Sequence, residues 1–368
     1  MKTTLLAALA VTAGLCFAGC QAEPAAKVAD PLLLVGTYSN EAGKGLQLLR
    51  YDSATDEFAP VSQFADIENA SFGVYDAENR RLYVTDERDD GRVAAYDVAT
   101  GDVALKAINA VSSGAGSPCY LALSPDKRRL AVANYQGDVV AIYAIDPSTG
   151  AIDGEPQILK AASSGDGHAH WVQWSPEGDR LYVVDLGHDE VRVYDYDAQT
   201  GHAAEPVTAL KLSAKAGPRH MAFSPNGKFA YVLTEYANTL VAAKREADGK
   251  LTEIQTVSTL PADFNDKSYA AHITINAAGD RVYVTNRGHN SIAVFEIAPD
   301  GQLKHLQTVA TGGDWPRFFL LLEAEKRLLV AHQNDHAITV FHLKDDGTLE
   351  ATDKRFTSNL PVWLQPVS

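Results

Sequence analysis

A short apolar pattern recurs seven times along this chain, and the recurrence limits the possible folds more than any other feature. Each copy is a run such as Leu181-Tyr182-Val183-Val184, about the length of a strand. The second residues of the copies are Leu34, Tyr83, Ala131, Tyr182, Tyr231, Tyr283 and Leu329, at intervals of 46 to 52 residues. A fixed period of this length is typical of propellers and solenoids.

Each repeat contains four short runs, with no helical periodicity between them. In Gly217 to Glu235, two runs are joined by Ser224-Pro225-Asn226-Gly227, a turn signal that predicts a hairpin. A third and a fourth alternating run follow, as in Val191–Tyr196 and Pro206–Leu210. Four strands per repeat predict an all-β fold, a seven-bladed β-propeller with four antiparallel strands per blade over residues 32–368.

The first repeat of this domain lacks one strand, and the C-terminus supplies one extra strand. The first copy, at Leu33, has no preceding run, whereas Pro361-Val362-Trp363-Leu364 near the C-terminus has no following one. We therefore expect the C-terminal strand to complete the first blade and close the ring, which removes an unpaired sheet edge.

The N-terminal segment predicts export. Residues 1–20 contain one early lysine, an apolar stretch and small residues before Cys20, the anatomy of a signal peptide. Phe17-Ala18-Gly19-Cys20 resembles a lipobox, so that Cys20 is the predicted lipidation site. Residues 21–31 predict a flexible tether. The expected location is extracytoplasmic: a bacterial lipoprotein facing the periplasm, or otherwise a secreted or periplasmic protein.

Charge and composition exclude several partners and cofactors. The net charge of −15 disfavours nucleic acid and anionic membrane surfaces, so the only membrane contact expected is the N-terminal lipid. No glycine-rich phosphate loop or haem motif is present, and we expect no cofactor. With Cys20 lipidated, Cys119 has no disulfide partner and is predicted to be a packing residue. The sequence does not indicate an oligomeric state.

Residues that break the repeat are concentrated where first strands begin and second strands end. Antiparallel pairing brings these positions together, and the first strands line the central channel of a propeller, so we expect these residues at one channel mouth. They include His168, His170, Arg219, His220, His272 and Arg317 on first strands, and Glu87, Asn134, Asp185, Glu235 and Arg287 on second strands. Such groups are costly near a channel wall unless paired or functional, so the alternatives are a functional site or a self-neutralising polar plug.

Two other patterns at this mouth have their own interpretations. His168 and His170 share one strand face and could bind a metal together with Asp185, but three nearby arginines would oppose a divalent cation. We therefore predict no metal ligands. The charged run Asp86 to Asp90 predicts a solvated turn.

In its ordered motifs the chain resembles the lactonase family of seven-bladed propellers, which includes a bacterial 6-phosphogluconolactonase and the fungal carboxy-cis,cis-muconate lactonising enzyme. The resemblance covers nearly all of residues 32–368. Its motifs are Val35-Gly36-Thr37-Tyr38, Ala133-Asn134-Tyr135, His168-Ala169-His170, Asp185-Leu186-Gly187, Gly217-Pro218-Arg219-His220, Glu235, Asn286-Arg287-Gly288-His289 and Trp315-Pro316-Arg317.

The resemblance implies chemistry at a cyclic ester, with no cofactor and a small-molecule lactone as the partner. It implies His170, Arg219, Glu235 and Arg287 as catalytic residues, with His168 an alternative to His170. The substrate-binding expectation covers His168, His220, Asn134, Asp185, His272 and Arg317. His272 departs from the family, whose members often have a glutamate there.

The roles follow from charge. The arginines suit an oxyanion or an anionic substituent, and His170, with a pKa expected near working pH, suits a general acid or base. Glu235 would orient His170 or take the proton itself. The predicted function is hydrolysis of a sugar-derived or other carboxylated lactone outside the cytoplasm, a reaction like that of 6-phosphogluconolactonase. The alternative is a non-catalytic propeller that binds a small anionic ligand or a protein at its channel mouth.

Overall fold

Seven four-stranded antiparallel sheets form the molecule, so the predicted propeller is confirmed. The computed structural model describes residues 31–38, 45–64, 66–99, 104–160 and 166–367. The predicted signal peptide, Cys20 and all of the tether except Pro31 lie outside the described residues. No helix in the described part is long and apolar enough to cross a membrane.

The innermost strand of each blade lines the channel. Numbered in chain order, these strands are β29 (Pro361–Pro366), β4 (Gly73–Asp76), β8 (Pro118–Leu123), β12 (Ala169–Trp174), β17 (Pro218–Phe223), β21 (Tyr269–Ile275) and β25 (Pro316–Leu322), for blades 1 to 7. The apolar pattern typical of a first strand starts at Ala70 in the sequence, whereas β4 begins three residues later. Just before β4, the Phe72 amide donates to the Thr85 hydroxyl instead of to a backbone carbonyl, while the Phe72 carbonyl accepts from both the amide and the hydroxyl of Thr85.

The second strands form the middle of each blade. They are β1 (Leu32–Thr37), β5 (Arg81–Asp86), β9 (Arg129–Asn134), β13 (Arg180–Asp185), β18 (Phe229–Thr234), β22 (Arg281–Arg287) and β26 (Arg327–His332). Neighbouring blades cover both faces of these strands, which is why their sequences are continuous apolar runs instead of alternating ones. In β18, for example, every residue from Ala230 to Thr234 is buried.

The third and fourth strands lie progressively farther from the axis. The third strands are β2 (Leu46–Asp52), β6 (Arg92–Val98), β10 (Val139–Ile145), β14 (Glu190–Asp197), β19 (Thr239–Arg245), β23 (Ser291–Ile297) and β27 (Ala337–Leu343). The outer strands are β3 (Glu57–Phe64), β7 (Leu105–Ser112), β11 (Ile152–Lys160), β16 (Val207–Lys211), β20 (Leu251–Ser258), β24 (Leu303–Ala310) and β28 (Leu349–Thr357), with a short extra strand, β15 (His202–Ala203), beside β14.

The C-terminal strand closes the ring as predicted. β29 pairs with β1, so the first blade has the order β29-β1-β2-β3 and joins the two chain ends. Trp363 of β29 is 1% exposed and packs in the core of this blade. Gly73 of the next blade allows this close approach, because a Cβ atom there would lie 2.5 Å from the indole ring.

Candidate active site

The polar residues of the first strands enter the channel at β-bulges. In β17, Pro218 pairs with Thr234 and His220 with Leu233, so that Arg219 has no partner in the register. The unpaired residues at equivalent positions of β8, β12 and β25 are Cys119, His170 and Arg317. A bulge bends the strand and re-aims its side chains, which explains why these residues leave the regular alternation.

The ends of the second strands alternate between two environments. The residue at the position of Asn134 ends most of these strands and turns into the blade, and the Asn134 amide donates to the Ser113 and Val139 carbonyls. The next residue, one position farther and so on the opposite side, reaches the mouth. Residues of this second kind include Tyr38, Glu87, Tyr135 and Glu235.

Two predicted substrate-binding residues are therefore not at the mouth. Asn134 is fully buried between blades, and Asp185 accepts hydrogen bonds from the backbone of His168 and the ring of His188. Placing them at the mouth was wrong, because the end of a strand was identified correctly but not the side to which its last side chain points. The same alternation places Glu87 at the mouth, so the prediction of a solvated turn was wrong for that residue.

Arg219, Glu235 and Arg287 form one ion-paired group. Nε of Arg219 lies 3.0 Å from Oε2 of Glu235, and Nη2 of Arg287 lies 3.1 Å from Oε1. Both arginines are at least 95% buried, and their guanidinium groups also donate to the backbone carbonyls of Tyr269, Ala270 and Ala271. Each guanidinium is thus fixed by a shared carboxylate and by backbone carbonyls of β21.

The nitrogens not used in these contacts are available to a ligand. Among the described residues, Nη2 of Arg219 and Nη1 of Arg287 make no hydrogen bond. The two guanidinium groups are held by the Glu235 carboxylate, and each keeps one nitrogen that makes no other hydrogen bond. Together they form a rigid site for a developing negative charge.

A second group at the mouth comes from blades 7, 1 and 2. Nη2 of Arg317 donates to the Tyr38 hydroxyl over 2.7 Å, and this hydroxyl donates to Oε2 of Glu87 over 2.8 Å. The Arg317 guanidinium also lies over the Tyr38 ring, 5.2 Å from its centroid. Glu87 is at a second-strand end, where the sequence pattern predicts mouth residues, whereas no site role was predicted for Tyr38, which the same strand alternation could have found.

His170 and His168 have different surroundings. His170 is 5% exposed, with Nδ1 3.8 Å from the Cys119 sulfur. Half-buried His168 is stacked on Tyr135 at 4.1 Å between centroids, and its Nδ1 lies 2.8 Å from the Tyr135 carbonyl oxygen. His170 is the one whose imidazole is surrounded by channel residues. Glu235 contacts the arginines instead of His170, so its expected orienting role applies to them.

Burial and neighbouring charges lower the pKa values of both His170 and Arg219. Desolvation, followed by the charges of Arg219 and Arg317, holds the pKa of His170 well below 6.5. Burial and the other two arginines also lower the pKa of Arg219. His170 is therefore a neutral imidazole at working pH, which differs from the expected pKa near neutrality.

Five rings close the channel beneath the mouth. Phe72 stacks on Tyr120 at 4.0 Å, Tyr120 meets His220 at 5.2 Å, and His220 meets His272 at 5.5 Å. His272 stacks on Phe318 at 4.1 Å, and Phe318 returns to Phe72 at 6.3 Å. We call this set the aromatic collar. It gives the mouth an apolar floor and includes two residues predicted to bind substrate, His220 and His272.

An ionic network joins blades 3 and 4 away from the channel. Oxygen and nitrogen atoms of Asp138, Asp185 and His188 lie within 4.8 Å of one another, a spacing that could hold a cation. However, the buried Arg192 guanidinium lies 2.6 Å from Asp138 and 3.4 Å from Asp185 and already supplies positive charge. Asp185 thus belongs to an ion-pair network, and the structure does not bring it to the ring of His168 or His170.

Comparison with known proteins shows likeness along nearly the whole chain. The family model described as "Lactonase, 7-bladed beta-propeller" matches residues 32–366. The 6-phosphogluconolactonase of Bacillus subtilis is 31% identical over 345 residues, which cover 90% of this chain and 97% of that protein. The structure of the periplasmic gluconolactonase of Pseudomonas aeruginosa superposes with a TM-score of 0.85 at 30% identity, covering 92% of this chain and 99% of that one. A Lactobacillus plantarum protein structure gives 0.84 at 28% identity, with 92% and 100% covered.

Proposed function

Because this chain belongs to the lactonase family of seven-bladed β-propellers, we propose that it is a carboxylic-ester hydrolase that opens a lactone ring at the channel mouth. The catalytic residues in this proposal are His170, Arg219, Glu235 and Arg287. The observation that best supports it is the Arg219–Glu235–Arg287 group, in which one carboxylate positions two buried guanidinium groups with N–H donors to spare.

The arginines stabilise charge in the transition state. Attack of water on the lactone carbonyl places a negative charge on the carbonyl oxygen, and Nη2 of Arg219 and Nη1 of Arg287 are suited to bind it. Glu235 keeps both donors in place, so they need no reorganisation when the charge develops. Both guanidinium groups are buried, which strengthens these electrostatic interactions.

His170 moves the proton in this mechanism. Its neutral imidazole accepts a proton from the attacking water as the C–O bond to the carbonyl carbon forms. The tetrahedral intermediate then collapses, the ring C–O bond breaks, and the imidazolium returns the proton to the leaving oxygen. His168 is the alternative base: its ring is stacked on Tyr135, and its Nδ1–H donates to a backbone carbonyl, which leaves Nε2 as the nitrogen that would accept a proton.

The substrate in this proposal is a sugar-derived or other carboxylated lactone. Arg317 of blade 7, whose guanidinium donates to the Tyr38 hydroxyl, offers further N–H donors beside the blade that carries Arg287. A guanidinium beside a carboxylate and a phenol suits hydroxyl groups and a single anionic substituent. Two relatives are named for gluconolactone and for 6-phosphogluconolactone, which supports a sugar lactone.

The proposed location is extracytoplasmic, with residues 1–20 as a signal peptide, Cys20 as the lipidation site and residues 21–31 as a tether. It is supported by the N-terminal sequence and by the Pseudomonas aeruginosa relative, which is named as periplasmic. Mass spectrometry of the mature protein from membranes tests it. A diacylated N-terminal Cys20 is the expected result, and an unmodified Met1 would contradict export.

A hydrolysis screen tests the reaction. Residues 21–368 are assayed in a pH-indicator assay against a panel that includes glucono-1,5-lactone, 6-phosphogluconolactone and a muconolactone. Arg219→Met is the test variant and Arg245→Met is the matched control, since Arg245 pairs with Glu177 outside the channel mouth. We expect turnover of a sugar lactone that falls about 10²- to 10³-fold in Arg219→Met but not in the control.

No turnover of any lactone by the folded protein would overturn the proposed reaction. It would favour the alternative, a propeller that binds an anionic ligand or a protein at its mouth.

A further inference from the structure

Arg219, His220, His272 and Thr274 form one chain of hydrogen bonds through the aromatic collar. Nη1 of Arg219 lies 3.0 Å from Nε2 of His220, and Nδ1 of His220 lies 3.3 Å from Nδ1 of His272. Nε2 of His272 then lies 3.3 Å from the Thr274 hydroxyl. His272 and Thr274 also line a cavity of about 580 Å³ on the far side of the collar. The chain thus runs from the proposed active site to the opposite half of the channel.

The first link determines the direction of all the others. A guanidinium has only donors, so Nε2 of His220 must be the acceptor and the His220 proton must be on Nδ1. That proton is donated to Nδ1 of His272, which leaves the His272 proton on Nε2, where it faces the Thr274 hydroxyl. Both imidazoles are therefore neutral and in opposite tautomers. In agreement, burial and then Arg219 lower the pKa of His272 to about 3.

We propose that His220 and His272 are positioning residues, which fix the Arg219 guanidinium by holding one defined pair of tautomers. Nη1 of Arg219 then has both protons engaged, by the Ala271 carbonyl and by His220, while Nε faces Glu235. Only Nη2 is left to bind the substrate. The inference rests on the proposed function and changes the expected role of both histidines from substrate contact to support.

His272 is the most informative residue of the chain, because it acts on Arg219 only through His220. If the acceptor at His272 Nδ1 is lost, His220 is free to move its proton to Nε2. The Nε2–H group of His220 would then face the Nη1–H group of Arg219, and the guanidinium would lose its hydrogen bond to His220. A substitution at His272 should therefore disturb catalysis without removing any group that contacts the Arg219 guanidinium directly.

NMR of the wild-type protein tests the tautomers without any assay of activity. Long-range ¹H–¹⁵N correlation spectra of histidine-labelled protein distinguish a protonated from an unprotonated ring nitrogen. We expect the Nδ1–H form for His220 and the Nε2–H form for His272. Equal tautomers, or an imidazolium at either position at pH 7, would overturn the proposal. This result decides the hydrogen-bond chain even if no lactone is hydrolysed.

Kinetics of two variants test positioning. His272→Phe keeps a ring against Phe318 but loses the acceptor, whereas His272→Asn places an amide oxygen near the position of Nδ1. We expect kcat to fall on the order of 10- to 100-fold in His272→Phe, with KM changed less than about threefold. His272→Asn should recover most of this loss.

A matched control separates the loss of Arg219 positioning from the general effect of removing a buried imidazole. His332 is fully buried in blade 7, where Nε2 lies 2.8 Å from the Thr339 hydroxyl. His332→Phe should lower the melting temperature but leave kcat unchanged. Wild-type kcat in folded His272→Phe, or an equal loss in His272→Asn and His272→Phe, would contradict a positioning role.

Discussion

Glu235 lies between two arginines whose burial would be costly without it. Each guanidinium is at least 95% buried, and leaving such a charge unpaired is strongly destabilising. Three arginines and two carboxylates meet at this mouth, in a protein whose net charge is −15. The side chains of this site thus form a locally cationic pocket within an acidic molecule, which suits a substrate that develops or bears one negative charge.

The low pKa of His170 predicts how activity depends on pH. The base form is the neutral imidazole, and burial together with Arg219 and Arg317 keeps the pKa well below 6.5. Lowering the pH from 7.5 to 5.5 should therefore cause no loss of kcat/KM through this residue. Arg317→Met removes one of the charges, so it should raise the pKa and move the acid limb to higher pH.

Rates measured across this range test the prediction, with circular dichroism at each pH to confirm folding. That check matters because histidines that are neutral when buried bind protons on unfolding, so stability falls as the pH drops below 6.5. A wild-type acid limb centred near pH 6.5 would contradict the assigned environment of His170.

The β-bulges explain how equivalent strands of the repeat place different side chains in one site. The unpaired position is Cys119 in β8, His170 in β12, Arg219 in β17 and Arg317 in β25, so an equivalent backbone feature presents a different side chain in each blade. The repeated blades thus form the scaffold, and the residue type at the bulge position of each blade determines which chemical group enters the channel.

Much of this could be predicted from the sequence, and the rest depends on register. The period of the repeat gave the blade number, the strand order and the ring closure, because those depend on apolar patterning and turn signals alone. The bulges shift the alternation by one residue, which a sequence pattern does not reveal. At the ends of the second strands, the pattern likewise does not show to which side the last side chain points, so Asp185 was placed at the mouth and Tyr38 was not.

A tyrosine in several second strands ties neighbouring blades together. The Tyr231 hydroxyl donates to the Gly301 carbonyl of the next blade over 3.1 Å, and Tyr83, Tyr182 and Tyr283 make equivalent bonds to Gly150, Gly249 and Gly347. Tyr231→Phe leaves a buried carbonyl unsatisfied and should lower the free energy of unfolding by about 1–3 kcal/mol, with kcat unchanged. Chemical denaturation measures the difference, and a loss of activity without a loss of stability would contradict a purely structural role.

Closure of the ring makes stability a property of the whole molecule. β29 supplies the innermost strand of the first blade, and Trp363 fills the core between that blade and its neighbours. The aromatic collar likewise draws its five rings from blades 2, 3, 5, 6 and 7. Neither feature can form unless the two ends of the domain meet.

Removal of the C-terminal strand should therefore destabilise every blade. Deleting the residues after Asn359 should lower the melting temperature of the entire domain and expose the edge of β1 to association. The single substitution Trp363→Ala should cost about 3–5 kcal/mol. Gln365→Ala, at a half-buried position of the same strand, is the control and should stay within about 0.5 kcal/mol. An unchanged melting temperature after the deletion would refute closure.

A double-mutant cycle on Arg219 and Glu235 asks whether the two residues act as one catalytic unit. The values of kcat/KM are measured for the wild type, Arg219→Met, Glu235→Gln and the double variant, on the lactone that the wild type hydrolyses best. Because Glu235 acts by holding the arginine, each single change should remove most of the rate, and the double variant should be little slower than the slower single variant. Losses that simply multiply, or a Glu235→Gln variant with wild-type kcat/KM, would show that this ion-paired group is not the catalytic centre.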